Sequence, residues 1–261
     1  AQVFSAAGIP IREGYGLTET SPVITLNLFE PEGALLGSVG PVIDRVEVLI
    51  DESDGIFRPG EGEILTYGPN VMMGYYNKPE ATEAVMKTIN GKTWFCTGDA
   101  GKMVDGPGGK KYLQITDRKK ELLKTSGGKY VAPTPIESKF RENFLIEQMM
   151  VIGEQRKFVS ALIVPAEPAL KDWCDGHQVE WTTFPEMLHH PKVLDKFQSI
   201  VDQINPSFSH IDQIKKFRLL NKVWEPVKTD GSEAELTPTM KLKRRVILEK
   251  YKAEIEDIYA E

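Results

Sequence analysis

The stretch Asp117–Glu137, DRKKELLKTSGGKYVAPTPIE, marks the point at which the chain changes character. Upstream of it lie short β-rich runs punctuated by Gly and Pro: Val46–Asp51, Gly62–Tyr67, and the pair Lys102–Val104 and Tyr112–Ile115. Runs of this kind, bounded by turn formers, read as strands. Asp105–Lys110 (DGPGGK) suits a hairpin connection between the last two, because glycine takes positive φ without steric cost. As a phosphate loop it lacks the helix that should follow. Downstream, Val193, Leu194, Phe197, Ile200, Val201 and Ile204 recur at helical spacing, as do Leu248, Tyr251, Ile255 and Ile258, and both sets read as core-facing stripes. Lys216–Trp224 between them can form a strand. The charged run Asp117–Lys124 is a linker or the start of a new unit. The expected architecture is therefore α+β: a β-rich unit over 1–117 and a small mixed α/β unit over 118–261.

A length of 261 residues exceeds the usual span of one domain, which also favours two unequal units. An apolar fraction of 41% with 27% charge suits a soluble globular chain, and no run approaches the ~20 apolar residues of a membrane span. A formal charge of −6 argues against a general nucleic-acid surface, so the basic clusters at Arg118–Lys124 and Lys241–Arg245 need local explanations. Cys96 and Cys174 are too few for a disulfide framework or a zinc site, which fits a reducing, cytoplasmic location. The N-terminus shows no signal-peptide pattern; Ala1–Ile11 reads as mid-element, as though a longer chain had been trimmed. His189–His190 reads as a loop or helix-end feature, since no third ligand is in view.

Three further segments carry chemistry. Gly14–Pro22 (GYGLTETSP) packs glycines, hydroxyls and one carboxylate into a turn-prone stretch. Glycines let backbone amides approach a phosphate, hydroxyls can donate to its oxygens, and Glu19 could hold Mg²⁺, which prefers oxygen ligands shared with substrate phosphates. Trp94–Asp99 (WFCTGD) looks like a strand ending in a Gly-Asp turn, where a carboxylate could accept both hydroxyls of a ribose. Glu235–Arg244 (ELTPTMKLKR) places a lysine on a Thr/Pro loop. Within Asp117–Glu137, Arg118 is a permanent cation able to bond ribose or phosphate oxygens, while Lys119, Lys120 and Lys124 could form a solvated basic face. Gly127 and Gly128 permit a tight turn or close ligand approach.

Taken together, these segments resemble the adenylate-forming superfamily of acyl-CoA synthetases, peptide-synthetase adenylation domains and luciferases, and are most similar to long-chain fatty acid CoA ligases. Gly62–Thr82 (GEILTYGPNVMMGYYNKPEAT) resembles a further segment of that family, with Gly68 and Gly74 in turns. The resemblance implies the β-rich end of a large AMP-binding domain followed by a small mobile C-terminal domain. It implies an ATP-dependent, AMP-forming acid-thiol ligase that converts a fatty acid to acyl-AMP and pyrophosphate, then transfers the acyl group to coenzyme A. It assigns catalysis to Lys241, with Lys243 the alternative, and to Glu19, which would hold Mg²⁺. Met240 departs from the glycine that many relatives place before this lysine.

Tyr15 and Gly16 would contact the adenine or acyl edge, Thr18 the phosphates, and Asp99 and Arg118 the ribose. Lys120 would be the pivot of the small domain. Lys120, Lys124, Gly127 and Gly128 also count among the cofactor-binding residues, the Gly127–Tyr130 loop serving the thioester step. The family's Ser/Thr/Gly-rich phosphate loop and most of its acyl tunnel would lie in a missing N-terminal portion, so the 261-residue chain alone is expected to be inactive. Expected partners are the fatty acid, ATP, CoA and that missing portion, with no nucleic acid; peripheral membrane contact stays open. The alternatives are adenylation of an amino or aryl acid, or a non-catalytic binding module.

Overall fold

The Gly- and Pro-punctuated runs upstream pair into a five-stranded antiparallel sheet. In this computed structural model, residues 4, 6–30, 32–229 and 231–260 are described, and of Lys120 the backbone alone. Ala1–Val3 and Ser5, part of the segment read as mid-element, lie outside the described residues. By compactness the chain divides into two units, Ala1–Glu121 and Leu122–Glu261. The sequence places the boundary at 117/118, which lies inside a strand.

In the first unit, β1 (Gly14–Tyr15) and β2 (Thr25–Leu26) form a small antiparallel ribbon. The main sheet contains β3 (Glu47–Asp51), β4 (Gly62–Tyr67), β5 (Met86–Ile89), β6 (Lys92–Asp105) and β7 (Lys111–Arg118). Its order is β3-β4-β6-β5, and β7 pairs with the C-terminal half of β6. Asp105–Lys110 is a hairpin turn: Asp105 faces Lys111, and Gly108 and Gly109 both take positive φ (64° and 67°). The short helix α1 (Pro79–Glu83) opens on proline, whose absent N–H costs nothing at a first helical turn.

The second unit starts with a hairpin, β8 (Leu123–Lys124) and β9 (Tyr130–Val131), and continues into α2 (Pro133–Phe140). Its sheet has the order β10-β11-β12, from β10 (Ile146–Ile152), β11 (Ser160–Pro165) and β12 (Lys216–Leu219). Both faces are covered, which explains why β10 and β11 read as nearly continuous apolar runs instead of alternating ones. Met149, Val151, Ala161 and Ile163 pack in one core with Ile136 and Phe140 of α2, Leu170 and Cys174 of α3 (Glu167–Gly176), and Val193, Phe197, Ile200 and Val201 of α5 (Pro191–Ile204). Between α3 and α5, the short α4 (Phe184–Met187) adds Met187. Met150, Ile152, Leu162 and Val164 point the other way, onto Ile247 of α6 (Arg244–Lys250) and Ile255 and Ile258 of α7 (Lys252–Tyr259).

Three sequence expectations shift here. Leu194 is 38% exposed on the rim of α5, and in the last stripe Ile247 takes the buried place expected of Leu248, which is 41% exposed. The helical run breaks at Tyr251 (φ −106°, ψ 29°), so no single periodicity spans α6 and α7. The strand expected over Lys216–Trp224 ends at Leu219. His190 caps α5, its Nδ1 accepting from the Lys192 amide at 3.2 Å. Among the described residues no helix is long and apolar enough to cross a membrane.

Candidate functional site

Gly14–Pro22 comprises β1 and most of the connection to β2, and its course is dictated by one close approach. A Cβ on Gly16 would lie 1.6 Å from the Pro22 carbonyl oxygen and 2.8 Å from the Val23 Cα, so only glycine fits. The buried Thr20 hydroxyl closes the turn: it accepts from the Leu17 amide (2.9 Å) and lies within donating reach of the Leu17 (3.0 Å) and Pro22 (2.9 Å) carbonyls. Thr18–Thr20 forms one 3-10 turn, leaving Gly16 and Thr18 exposed and Glu19 half-buried.

The Gly-Asp segment differs from expectation in its backbone. The strand does not end at Asp99; β6 runs through it, and Cys96 to Ala100 face only Leu65 to Glu63 of β4. This bulge is where Gly98 takes φ 75°, re-aiming the residue after it. Asp99 is 9% exposed. Its Oδ2 accepts the Tyr15 phenol at 2.7 Å, its Oδ1 lies 3.5 Å from Arg118 Nε, and Asp99 and Arg118 face each other across β6 and β7. Burial, and then the neighbouring carboxylate, push the Tyr15 phenol far up, so it stays a donor. Each carboxylate oxygen has two lone pairs, which leaves Asp99 acceptor capacity for a ligand's hydroxyls. Tyr15, Glu19, Asp99 and Arg118 thus gather on one unit, which spacing alone does not show.

Sequence reasoning missed the groups that hold this turn in place. The Asn70 amide donates to the Val23 carbonyl (2.8 Å), the Met72 amide to the Glu19 carbonyl (2.8 Å), and the Tyr75 phenol to Glu19 Oε1 (2.8 Å). All three come from the Gly62–Thr82 segment, whose signal in sequence is mainly structural. Asn27, 3% exposed, donates to the Ser38 carbonyl (2.7 Å) and accepts from the Leu35 amide (3.0 Å), fixing the chain that follows β2. Lys119 does not belong to a solvated basic face: its Nζ lies 2.5 Å from Asp54 and 2.6 Å from Glu63. The side chain of Lys120 lies outside the described residues.

In the second unit, Lys124, Gly127 and Gly128 share the β8–β9 hairpin. Thr125 closes it, its amide and its hydroxyl both donating to the Lys129 carbonyl, at 2.9 and 3.0 Å. Gly128 takes φ 76° and Gly127 does not, and on neither does any atom lie within 4 Å of the point a Cβ would occupy, so the tip is open. Lys124 Nζ lies 5.5 Å from the Tyr130 ring centre, within cation–π range.

Lys241 follows a tight turn: the Met240 amide donates to the Thr237 carbonyl (2.9 Å), and the Thr237 amide to the Lys241 carbonyl (2.8 Å). Met240 takes φ 62°, the left-handed region that favours glycine. Lys241 is exposed with no side-chain partner among the described residues, whereas Lys243 Nζ lies 4.0 Å from Glu233.

Mg²⁺ usually takes one or two carboxylates, with waters and substrate phosphates completing its shell. Glu19 fits that pattern: the Tyr75 phenol takes Oε1 and orients the group, and exposed Thr18 lies beside it.

Residues 1–76 match the family model for AMP-binding enzymes, and residues 120–261 match that for the AMP-binding enzyme C-terminal domain. The chain is 35% identical over 257 residues to the long-chain-fatty-acid–CoA ligase FadD15 of Mycobacterium tuberculosis (strain ATCC 25618 / H37Rv), covering 98% of this chain and 39% of that protein. It is 33% identical over 259 residues to long chain acyl-CoA synthetase 1 of Arabidopsis thaliana, covering 95% of this chain and 36% of that one. The chain thus spans about two fifths of the length of these relatives. Among solved structures it resembles the adenylation domain of the carboxylate reductase GR01_22995 from Mycobacterium chelonae (TM-score 0.68, 23% identity, 100% of this chain and 36% of that one). It also resembles O-succinylbenzoate coenzyme A synthetase from Bacillus subtilis in complex with AMP (TM-score 0.61, 24% identity, 94% and 42%).

Proposed function

The chain belongs to the AMP-binding enzyme family, and on that premise we propose that it is part of a long-chain fatty acid CoA ligase. The observation that carries this reading is the Tyr15–Asp99–Arg118 constellation beside the Glu19 turn, in a chain 35% identical over 98% of its length to a long-chain-fatty-acid–CoA ligase.

A fatty carboxylate is a poor acyl donor because its oxygen leaves badly. The enzyme would attack the α-phosphate of ATP with that carboxylate, forming acyl-AMP and releasing pyrophosphate; the thiol of coenzyme A would then attack the mixed anhydride and expel AMP. Neither step needs a protein nucleophile. Asp99 would accept the ribose hydroxyls, with Arg118 beside it; Tyr15 orients Asp99 and, with Gly16, would border the adenine or acyl group. Thr18 would bond phosphate oxygens. Mg²⁺, held through Glu19, would neutralise phosphate charge. Lys241, exposed on its turn, would add a positive charge where negative charge accumulates in the first step, and the open Gly127–Tyr130 hairpin would serve the second. Lys120 would be the pivot that lets the two loops of the small domain alternate. We assign the first compact unit, Ala1–Glu121, to the AMP-binding domain and the second, Leu122–Glu261, to the small domain, four residues beyond the 117/118 boundary read from the sequence.

The test is ATP–pyrophosphate exchange by the enzyme extended upstream of Ala1, across fatty, aryl and amino acids. Long-chain fatty acids should be preferred, and Lys241→Ala should lower exchange by about 10²–10³. A preference for an amino or aryl acid would overturn the substrate assignment. A selective defect in Lys243→Ala instead would reassign the lysine.

A further inference from the structure

Glu63 sits on β4 opposite the β6 bulge and is 7% exposed, yet neither of its oxygens is idle. Oε1 accepts the Gly98 amide at 3.1 Å, and Oε2 lies 2.6 Å from Lys119 Nζ. Gly98 immediately precedes Asp99, and Lys119 immediately follows Arg118. One buried carboxylate thus grips the neighbours of both groups that the proposed function places on the ribose. Lys119 is also within 2.5 Å of Asp54 Oδ2. Partial burial works to lower the pKa of this lysine, but the two carboxylates outweigh it and hold the pKa above the ordinary lysine range.

We infer that Glu63 is a positioning residue: it sets the Gly98–Asp99 turn for ribose and, through Lys119, fixes where the hinge begins. A bulge glycine at positive φ has a broad conformational well, so the direction of Asp99 depends on what holds the Gly98 amide. Glu63 supplies that hold from inside the sheet, where β4 cannot shift without breaking its ladders to β3 and β6. Lys119, clamped by two carboxylates, keeps the backbone of the first unit in place up to the residue before Lys120. A rotation can then be absorbed only beyond it. A plain structural ion pair would contribute to stability alone; a positioning pair also changes selectivity and the balance of the half-reactions.

This inference rests on the proposed ribose role of Asp99, and its test separates the two. In the enzyme extended upstream of Ala1, KM is compared for ATP and 2′,3′-dideoxy-ATP in pyrophosphate exchange. Wild type should favour ATP; an enzyme blind to the difference would refute the role of Asp99 itself. Glu63→Gln is isosteric but cannot accept from both Gly98 and Lys119, and it should reduce the preference by about tenfold, mostly through KM for ATP. Lys119→Met leaves the Gly98 bond intact. It should keep the preference within about twofold while lowering the rate of thioester formation from supplied acyl-AMP by about fivefold or more relative to adenylation. Lys119→Arg, which can bridge both carboxylates, should restore the wild-type balance. Hydrogen exchange on the 261-residue chain supplies a readout independent of activity: the Gly98 amide should exchange faster in Glu63→Gln and not in Lys119→Met. A Glu63→Gln enzyme of lowered thermal stability but unchanged nucleotide preference and unchanged Gly98 protection would overturn the positioning role. So would a Lys119→Met enzyme with both half-reactions reduced equally.

Discussion

Half-buried Arg244 and buried Glu137, 107 residues apart, share an ion pair with Nη2 2.6 Å from Oε1. Val151 completes it, its amide donating to Glu137 Oε1 (2.8 Å) and its carbonyl accepting from Arg244 Nη1 (3.1 Å). Glu137 lies on α2, after the glycine hairpin, and Arg244 opens α6, after the Lys241 turn. The pair therefore fixes one loop against the other within the second unit. Burial pushes the Glu137 carboxyl up, with Arg244 and the Val151 amide opposing it. Removing one partner strands a buried charge, so Arg244→Met should cost about 3–5 kcal/mol, read from urea unfolding of the 261-residue chain. The Glu137→Gln/Arg244→Met double variant should lose less than the two single losses combined. A single-variant loss below about 1 kcal/mol would mean the pair holds neither loop.

Met240 takes a left-handed backbone that costs a side-chain-bearing residue roughly 1–2 kcal/mol. Glycine relieves that cost but enlarges the freedom of the unfolded chain, so Met240→Gly should stabilise by about 0.5–1 kcal/mol net. Met240→Val, β-branched, should destabilise. The unfolding midpoints of both variants check this; a glycine variant less stable than wild type would show that the Met240 side chain contributes through packing despite its 60% exposure.

The proposed pivot follows the anchored Lys119, and its backbone belongs to the 3-10 turn Lys119–Glu121. Proline would fix φ near −65° and remove an amide donor. In the extended enzyme, Lys120→Pro should largely preserve adenylation and lose thioester formation, while Lys120→Ala should leave both mostly intact. Equal loss of both half-reactions in a folded Lys120→Pro enzyme would place the pivot elsewhere.

Glu235, 1% exposed at the foot of the Lys241 turn, pairs with Lys250 and with Lys228 at 3.2 Å, and its carbonyl accepts the Lys243 amide at 2.8 Å. Burial opposes its charge, but the Lys250 hydrogen bond, backbone amides and Lys228 outweigh that and lower its pKa from 4.5 to about 2. A depressed folded pKa contributes stability that is full above the unfolded value and disappears as pH falls through the folded one. The second unit should therefore weaken between about pH 4.5 and pH 2, and Glu235→Gln should be less stable at neutral pH and flatter across that window. Urea midpoints at several pH values test it, and equal slopes in the two proteins would refute it.

Local pattern was enough for much of this protein. Gly62–Tyr67 is a strand at the expected bounds, and Asp105–Lys110 is the expected turn, because period and turn chemistry act over a few residues. The motif around Gly16 is legible for the same reason: the glycine meets Pro22, six positions on. The phase of the last helices was not legible, since the break at Tyr251 moves the buried position from Leu248 to Ile247.

Nor do side-chain partners across long separations show in a linear pattern. Tyr75 with Glu19, Glu63 with Lys119, and Arg244 with Glu137 are joined only once strands and helices have packed. A lysine in a basic run looks the same in sequence whether water or a buried carboxylate receives it. The amino-acid order thus determined which elements form along much of the chain and the family to which the chain belongs. Tertiary packing decided which charges are neutralised and which, like Lys241, stay exposed, because burial sets the cost of an unpaired charge and only the fold determines burial.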